Sequence, residues 1–328
     1  MDRDDLKLFS DSLRQAAERH TDGDPRGFDA ALEDLGWRDA LLDEPSGATA
    51  ALFAVQGEFN LASCALDDVV LTALGVDPDR TVAAVLPASG THTPPGTLLS
   101  STPVRDGRLI VRGLGSARLL DADEVVIVAR RDGEPVVLRL AGSDLDVRAV
   151  AGIDPWGSWT GVETALTAAT AGDAIAADWE QATIRGQLAL AQELTATSRA
   201  MLDLARDHAV GRIQFGRPIG SFQAVRHRLA DCLLAVESAQ AACDAGWATP
   251  TRFTAGMAKV IAGRAGRTVA RHAQQVLAGM GFTSEHAFHR YLKRALVLDA
   301  LFGSADALST EIATEVLATG RLPEPLGL

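Results

Sequence analysis

The sequence predicts a mostly helical α+β protein whose domains follow the order helical, β, helical. Apolar residues recur every three or four positions near both ends of the chain, and Asp-Gly turns separate β-branched runs in the middle. Strands and helices do not alternate regularly, which argues against a doubly wound nucleotide-binding fold. We expect a shortened N-terminal helical domain over residues 1–80, a small antiparallel β domain over 81–170 and a C-terminal antiparallel helical bundle over 171–328.

The first domain is predicted from two stretches. Leu6, Phe9, Leu13 and Ala16 follow helical spacing near the start of the chain. Residues 50–74 are almost uniformly small and apolar, which predicts a buried helix or a pair of buried helices.

The β domain is predicted from two Asp-Gly pairs, at residues 106–107 and 132–133. The first pair stands between extended runs within residues 104–111, and the second within residues 125–138. Asp-Gly between β-branched runs is a strong hairpin signal, because glycine tolerates the positive φ of the turn. Two hairpins in one segment favour a small antiparallel sheet or barrel.

The C-terminal bundle is predicted from long amphipathic stretches joined by short connections. The clearest runs of helical spacing are Leu188, Ala191, Leu194, Ser198, Met201 and Ala205, and then Val225, Leu229, Cys232, Val236, Ala239 and Cys243. Short connections between such helices imply antiparallel packing.

Composition excludes several classes of function. There are 31 basic and 43 acidic residues, a net charge of −12, so a polyanion-binding surface and a nucleic-acid partner are not expected. The three cysteines form no CxxC pair, the N-terminal residues lack the apolar segment of a signal peptide, and no apolar run is long enough to cross a membrane. We therefore expect a cytoplasmic protein with no membrane partner.

Common catalytic and metal signatures are missing as well. The sequence has no phosphate-binding P-loop, no GxSxG elbow and no HExxH motif. The close pair His286 and His289 is a weak metal candidate, and surface histidines are the preferred interpretation. Asp67 and Asp68 are interpreted as exposed helix acids, so we expect no metal.

The most distinctive segment covers residues 212–231. It indicates the end of one helix, a Gly/Pro-rich reversal, and a new helix near Ser221 or Phe222. Arg212 and Arg217 could hold a phosphate, and Phe215 or Phe222 could cover a ring. From these residues alone, an ordinary interhelical turn is the other interpretation.

The pattern of this segment is more specific than its chemistry. It follows R-x-Q-F-G-x-P-I-G-x-F-Q-A-V-x-H-x-L-A-D, and residues 274–283 read Q-Q-V-L-A-G-M-G-F-T. Both resemble C-terminal signatures of the acyl-CoA dehydrogenase family. The predicted domain order is similar to that family's fold. The chain resembles in particular the degenerate subunit of the heterotetrameric (α2β2) enzymes of bacterial steroid side-chain degradation.

The resemblance implies a cofactor and a set of contacts. In that family, FAD is shared between two subunits, one of which holds the ADP half with its C-terminal domain. Carried over by the matching motifs, the ADP-binding residues are Arg212, Gln214, Phe215, Gln223, Gln275 and Gly279.

The family's flavin-side and catalytic residues are not matched. Residues 83–92 lack the Thr-Glu-Pro of one flavin motif, and residues 113–122 lack the aromatic-Ile-Thr of the other. Phe302 stands where the family's catalytic Glu is common, and the alternative position near Gly186 has no carboxylate either. A displaced base at Asp299 is a weak possibility.

Glu180 is a weaker candidate for such a base, and for both acids a solvated position on a helix is the preferred interpretation. The resemblance therefore implies a subunit that supplies the ADP side of FAD to a second, catalytic subunit and has no base of its own. The reaction implied is α,β-desaturation of an acyl-CoA thioester, for which a shortened N-terminal domain would suit a bulky or steroid-like acyl group. The alternatives are a self-sufficient FAD-dependent dehydrogenase that uses Asp299, and a non-redox homologue for assembly or acyl-CoA binding.

Overall fold

The N-terminal part of the molecule is helical. The structure is a computed structural model that describes residues 3–20, 25–99, 107–167, 175–283 and 285–320. The helices of this part are α1 (Arg3–Arg19), α2 (Pro25–Asp34), α3 (Trp37–Asp43), α4 (Pro45–Phe59) and α5 (Ala65–Ala73).

Helices α4 and α5 are the buried pair predicted from residues 50–74. Proline at the first position and the Glu44 side chain, which accepts from Gly47 N at 3.1 Å, begin α4. Asn60 ends it in the left-handed conformation. Both helices are buried because apolar residues occupy most of their faces, including Leu52 and Val70.

The described residues in the middle of the chain form one eight-stranded sheet. Its strands are β1 (Val82–Ala84), β2 (Gly96–Leu99), β3 (Arg108–Gly115), β4 (Glu124–Arg131), β5 (Glu134–Ala141), β6 (Val147–Ala149), β7 (Thr160–Thr167) and β8 (Ile175–Ala176). The order is β6-β7-β3-β2-β4-β5-β8, and β1 pairs with β4.

The predicted hairpin at residues 132–133 is confirmed. Asp132 and Gly133 have φ values of 53° and 94° and join β4 to β5 in antiparallel register. The other predicted hairpin cannot be compared directly, because residues 100–106 lie outside the described residues. Its second strand is β3, and the antiparallel neighbour on that side is β2.

The sequence led us to expect an antiparallel sheet, but the observed sheet also contains parallel strand pairs. Strands β1 and β2 both run parallel to β4 and lie end to end along the same edge of it. The chain leaves the sheet between them, in residues 87–94, and then returns in the same direction. A local turn signal does not reveal such a pairing, because the two strands contact a third that follows later in the chain.

The C-terminal helices are α6 (Trp179–Gly211), α7 (Gln223–Ala248), α8 (Arg252–Leu277), α9 (Phe288–Ala300) and α10 (Ala305–Thr319). Helix α6 is central, and most of its first half is buried. A capping box at Thr251 and Thr254 begins α8 directly after α7, so these two helices form an antiparallel pair. None of the helices in the described ranges is long and apolar enough to cross a membrane.

A buried ionic group ties the helical and β parts together. The Arg294 guanidinium on α9 lies 2.8 Å from Glu193 on α6 and 3.4 Å from Asp154 in the segment after β6. It also donates to the carbonyl oxygen of Leu61 at 3.0 Å. A buried charge with several partners is costly to disrupt, so this group fixes the packing of three parts of the chain. The division at residues 80 and 170 remains our proposal.

The interpretation of Asp67 and Asp68 as exposed helix acids was wrong. Both are buried, on the face of α5 that meets the loop after β3. Asp67 accepts from Ser116 Oγ at 2.7 Å. Asp68 accepts from Arg118 and from Trp37 Nε1, the latter at 3.0 Å. The acids are buried because a guanidinium distant in sequence reaches them, which the local pattern of α5 does not show.

Candidate functional site

The motif segment forms a tight hairpin between α6 and α7. Short strands β9 (Ile213–Gln214) and β10 (Arg217–Pro218) pair antiparallel around Phe215 and Gly216. These two residues have φ values of 53° and 77°, as in a type I′ turn, so glycine at the second position is required. The reversal predicted from the sequence is therefore a two-residue turn, with Phe222 as the N-cap of α7.

Aromatic and cationic side chains lie close together on this hairpin. Phe215 is 92% exposed and stands edge-on to Phe222, with ring centroids 6.1 Å apart. The Arg217 guanidinium lies 4.3 Å from the centroid of Phe222. A bare phenyl ring held at a turn is a suitable contact for a planar group or a neighbouring chain.

The second half of the predicted site lies where α8 ends. Gln275 is exposed in the last turn of α8, and Gly279 is exposed in the 3-10 turn that follows. A Cβ added to Gly279 would meet no atom within 4 Å, so the backbone there faces open space. This arrangement leaves room for a ligand to approach the main chain.

The structure brings the six predicted residues to one end of the bundle. The antiparallel packing of α7 and α8 places Gln223 and Gln275 at the same end of that pair. His208, one turn before Arg212, is electrostatically affected by His286, which follows Gly279 in the chain. We call the exposed set the clamp surface, and its members are Arg212, Gln214, Phe215, Gln223, Gln275 and Gly279.

The clamp surface carries donors that are not engaged within the chain. Among the described residues, the side chains of Arg212, Gln223 and Gln275 have no hydrogen-bond or ion-pair partner, and all three are exposed. The pKa of His208 is lowered by burial and then by the charges of Arg212 and His286, so this corner is positively polarised. Such a surface favours an anion.

A cavity of about 540 Å3 lies between the sheet and the C-terminal helices. It is bounded by the segment between β1 and β2, the start of α6, the start of α8 and the length of α10. Its apolar side is formed by Trp179, Ile184, Phe253, Leu308 and Ile312, and its polar rim by His92, Arg130, Glu180, Arg252, Glu311 and Glu315.

Phe302 is packed beside this cavity, behind Trp179. Its φ of 52° is unusual for a bulky residue, and Gly303 follows with a φ of 93°. The Phe302 ring is buried and stacks on Trp179, with centroids 6.1 Å apart and planes at 24°. A Cβ on Gly186 would come within 3.0 Å of the ring, so α6 is shaped to receive it.

A buried lysine that our sequence analysis did not select holds the same turn. Lys259 on α8 is 0% exposed, and its Nζ donates to the carbonyl oxygens of Asp299 at 2.9 Å and Gly303 at 3.2 Å. Gln187 Nε2 donates to the Phe302 carbonyl at 3.1 Å. Burial lowers the pKa of Lys259 to about 8, with the carboxylate of Asp299 opposing the change. The sequence signal that could have identified this lysine is its position among the small residues of α8.

The two candidate substitute bases lie in different places. Asp299 accepts from Ala305 N at 3.1 Å, which caps the start of α10, and it does not line the cavity. Glu180 lines the cavity but stands exposed at its rim, in the first turn of α6. Neither acid is a buried carboxylate directed into the cavity.

The segments that correspond to the unmatched flavin motifs make contacts within the chain. In the first segment, Gly90 N donates to Ala300 O at 2.7 Å, and Trp179 Nε1 donates to His92 O at 2.9 Å. His92 Nε2 also lies 3.3 Å from Glu311. In the second, Ser116 and Arg118 bind the buried acids of α5. Both segments are therefore committed to packing inside this chain.

The two histidines of the pair contact Phe288. His286 Nδ1 accepts from Phe288 N at 3.2 Å, and the His289 ring meets Phe288 edge-on. Within the described residues, no group of three or more His, Cys, Asp or Glu side chains is arranged to hold a metal ion.

Comparison with known proteins gives a family match for the C-terminal half of the chain. Residues 181–317 match the family model described as acyl-CoA dehydrogenase, C-terminal domain. This range includes all six residues of the clamp surface.

Curated relatives match over part of their length. The chain is 43% identical over 108 residues to "Acyl-CoA dehydrogenase IpdE2" of Mycolicibacterium smegmatis, which is 33% of this chain and 34% of that protein. It is 41% identical over 123 residues to "Acyl-CoA dehydrogenase FadE34" of Mycobacterium tuberculosis, which is 35% of this chain and 17% of that protein. The aligned part of the chain thus spans about a third or less of these relatives.

Solved structures match over the whole chain. A chain of the ChsE4-ChsE5 complex from Mycobacterium tuberculosis superposes with a TM-score of 0.81 at 20% identity, covering 99% of both chains. A chain of the "Tcur3481-Tcur3483 steroid ACAD G363A variant" gives the same TM-score and identity, with 97% and 98% coverage. The C-terminal region of the chain therefore matches the acyl-CoA dehydrogenase family in sequence, and nearly the full length of the chain shares the fold of these two solved structures.

Proposed function

We propose that the chain is the non-catalytic subunit of a heteromeric, FAD-dependent acyl-CoA dehydrogenase. It would hold the ADP half of FAD on the clamp surface, while a second subunit supplies the flavin pocket and the catalytic base. The observation that carries the proposal is an asymmetry within one chain. On the clamp surface, the side-chain donors of Arg212, Gln223 and Gln275 are exposed and unengaged, whereas the segments expected to meet a flavin ring are bound to other parts of the chain.

The clamp surface suits a nucleotide diphosphate in its chemistry. The Arg212 guanidinium can form two parallel hydrogen bonds to pyrophosphate oxygens and offset their charge. The amides of Gln223 and Gln275 can donate to phosphate or ribose oxygens, and the Gly279 backbone is open to a close approach. These groups are displayed on the outside of the chain, which suits a cofactor shared with a neighbour.

The flavin half of FAD does not fit this chain as the ADP half does. The Phe302 ring fills the space beside Trp179, and the segments around His92 and Arg118 are engaged in internal contacts. No described carboxylate is buried in the cavity wall, and Glu311 on its rim is paired with Arg252. General-base catalysis needs a carboxylate within hydrogen-bond reach of the substrate proton. This chain is therefore proposed to bind and orient rather than to remove a proton.

When bound, FAD supplies the hydride acceptor of an acyl-CoA α,β-desaturation. The partner subunit we infer is a complete acyl-CoA dehydrogenase, and the assembly would be a heterotetramer. Two of the structures that share this fold are the ChsE4-ChsE5 complex and the Tcur3481-Tcur3483 steroid ACAD, and in each of them two differently named proteins are paired. They favour a paired assembly and a bulky, steroid-like acyl group as the substrate class.

The proposal is tested by flavin content. The chain is expressed alone and together with a complete dehydrogenase encoded beside its gene, and the flavin absorbance per protein is measured for each. We expect a flavin-bearing, active complex and a colourless chain alone. In the complex, Arg212→Ala should lower the bound flavin at least tenfold, because a charge-assisted contact to phosphate is lost. Arg264→Ala, an exposed arginine of α8 bound to Ser309, is the matched control.

Two outcomes contradict the proposal. A yellow, fully active homomer of this chain alone would show that no catalytic partner is needed. Unchanged flavin content in the Arg212→Ala complex would instead favour a homologue that serves assembly or acyl-CoA binding without a redox role.

A self-sufficient enzyme with Asp299 as its base is the remaining rival. Asp299→Asn should then abolish turnover while flavin stays bound. We expect the substitution to leave turnover of the complex unchanged, because the Asp299 carboxylate is occupied at the start of α10.

A further inference from the structure

Three nitrogen-bearing side chains converge where α7 passes the end of α8. Arg228 Nη1 on α7 lies 3.1 Å from Nδ1 of His272, and Arg271 Nη2 lies 3.5 Å from Nε2 of the same ring. Arg271 is exposed, and the other two are half-buried. We call this group the Arg-His-Arg cluster.

The hydrogen-bonding roles in the cluster leave N–H groups without an acceptor. A guanidinium can only donate, so His272 accepts on Nδ1 and its neutral ring carries the proton on Nε2. That Nε2–H faces Nη2 of Arg271, which is also a donor. Two donors that face each other are satisfied when an acceptor oxygen lies between them.

The charges along α8 explain why Arg271 lacks a carboxylate. The sequence of α8 contains no Asp or Glu. Two of its exposed arginines form ion pairs with acids on α10. Arg252 pairs with Glu311, and Arg267 pairs with Asp306. Arg271 lies one turn further on, beyond the first residue of α10. Among the described residues it has no acidic partner.

Among the described residues, one acid alters the pKa of His272. Asp231 on α7 raises the pKa of His272, whereas burial, Arg271 and Arg228 lower it, and the net change is downward. Two permanent cations therefore face one carboxylate, and burial together with this excess of positive charge disfavours the imidazolium. An anion bound to the cluster would reverse this balance and favour the imidazolium.

The cluster adjoins the clamp surface. Arg271 and His272 precede Gln275 by three or four residues on α8, which is one helical turn. Arg228 follows Gln223 by five residues on α7. The cluster therefore lies one to two helical turns from the two glutamines.

We propose that Arg228, Arg271 and His272 form an oxyanion site that binds a phosphoryl group of the nucleotide held on the clamp surface. The nucleotide part of this inference rests on the proposed function, while the oxyanion part rests on the cluster alone. Guanidinium groups bind phosphate oxygens in a bidentate manner, and the His272 ring can add a third donor when protonated. The site would give this chain a hold on phosphate in addition to Arg212.

The full chain alone suffices for the test, with the titration of His272 followed by NMR. The His272 signal is assigned with a His272→Gln variant, and the titration is run in inorganic phosphate and in chloride at equal ionic strength. Phosphate should raise the pKa of His272 by about half a unit or more, saturably, which corresponds to at least about threefold tighter binding to the protonated ring. Arg271→Ala and Arg228→Ala should each abolish the difference. Arg264→Ala on the same helix should keep it.

Identical His272 titrations in phosphate and chloride would overturn the site. ADP separates the possible sources of the phosphoryl group: it should produce the same shift at a concentration at least about tenfold lower than inorganic phosphate, because the clamp surface contributes. If ADP is no better than inorganic phosphate, the assignment to a nucleotide is wrong. This result is independent of the flavin content of the Arg212→Ala complex, so the two proposals can fail separately.

Discussion

The ammonium group of Lys259 donates to the carbonyl oxygen of Gly303 across 3.2 Å, in a position without solvent access. The same nitrogen binds the carbonyl oxygen of Asp299 at 2.9 Å. These bonds bracket Phe302, whose positive φ is sustained only because its surroundings fix it. Lys259 thus stabilises the turn that holds the Phe302 ring against Trp179.

Replacing this lysine should have an effect that grows with pH. In Lys259→Met the two carbonyls lose their donor, which costs about 1–3 kcal/mol for each buried group. At neutral pH part of this loss is offset, because the variant also removes a desolvated charge. A neutral amine still has two N–H groups for the two carbonyls, so the wild-type interaction is strongest when Lys259 is deprotonated.

The sign and size of this pH dependence follow from the linkage between proton binding and folding. The pKa of Lys259 is about 8 in the folded protein and about 10.4 for an unperturbed lysine, so between these values the unfolded chain binds more protons. The contribution of Lys259 to stability therefore rises with pH in that window. We expect the difference in unfolding free energy between wild type and Lys259→Met to increase by about 2–3 kcal/mol from pH 7 to pH 10. Urea unfolding measures it, with the exposed Lys7→Met as control, and a flat difference would contradict the assignment.

The pattern of the sequence predicted the order of the elements but not the contacts that close the site. Helical spacing and the Asp-Gly turn at residues 132–133 are local signals, and they identified the helices and the β4–β5 hairpin. The pairing of Arg118 with Asp68 spans 50 residues, and that of Lys259 with Gly303 spans 44. Such contacts depend on tertiary packing, which overrides local preference. The residues of the clamp surface could be predicted together because they lie in two short motifs, and their role in binding stays a prediction.

Gly303 should be far less tolerant of a side chain than a glycine with the same backbone angle elsewhere. Gly303 and Gly133 have φ values of 93° and 94°. A Cβ on Gly133 would meet no atom within 4 Å, whereas one on Gly303 would lie 2.9 Å from Cδ2 of Leu308. Gly133→Ala should cost about 1–2 kcal/mol for the positive φ alone. Gly303→Ala should cost more, and equal losses in urea unfolding would show that the turn can shift.

Asp68 should be indispensable for packing the N-terminal helices on the sheet. It binds the buried Arg118 and the indole N–H of Trp37. Asp68→Asn removes the partner charge from a guanidinium that cannot lose its proton, and breaking such a pair costs about 3–5 kcal/mol. Thermal unfolding of the variant measures the loss. Asp146→Asn, which breaks an exposed ion pair with Arg148, is the matched control and should leave the thermal unfolding nearly unchanged, because solvent screens exposed pairs.

The neighbouring acid, Asp67, should behave in the opposite way. It is 0% exposed, and its Oδ1 has no hydrogen-bond partner among the described residues. Burial raises its pKa to about 7, against the opposing effects of Arg118 and the Ser116 hydroxyl. The folded protein therefore binds more protons than the unfolded chain between about pH 4 and 7, so the contribution of Asp67 to stability falls as the pH rises through this window.

Asp67→Asn removes that proton linkage while its amide oxygen can still accept from Ser116. Relative to wild type, the variant should gain about 2–3 kcal/mol of unfolding free energy between pH 5 and pH 8. Other buried acids with a raised pKa, such as Glu193, are present in both proteins and cancel in the comparison. A relative stability that does not change with pH would mean that Asp67 stays ionised when the protein folds. Arg118 would then have to balance both carboxylates of α5, and Asp67→Asn would destabilise the protein at every pH.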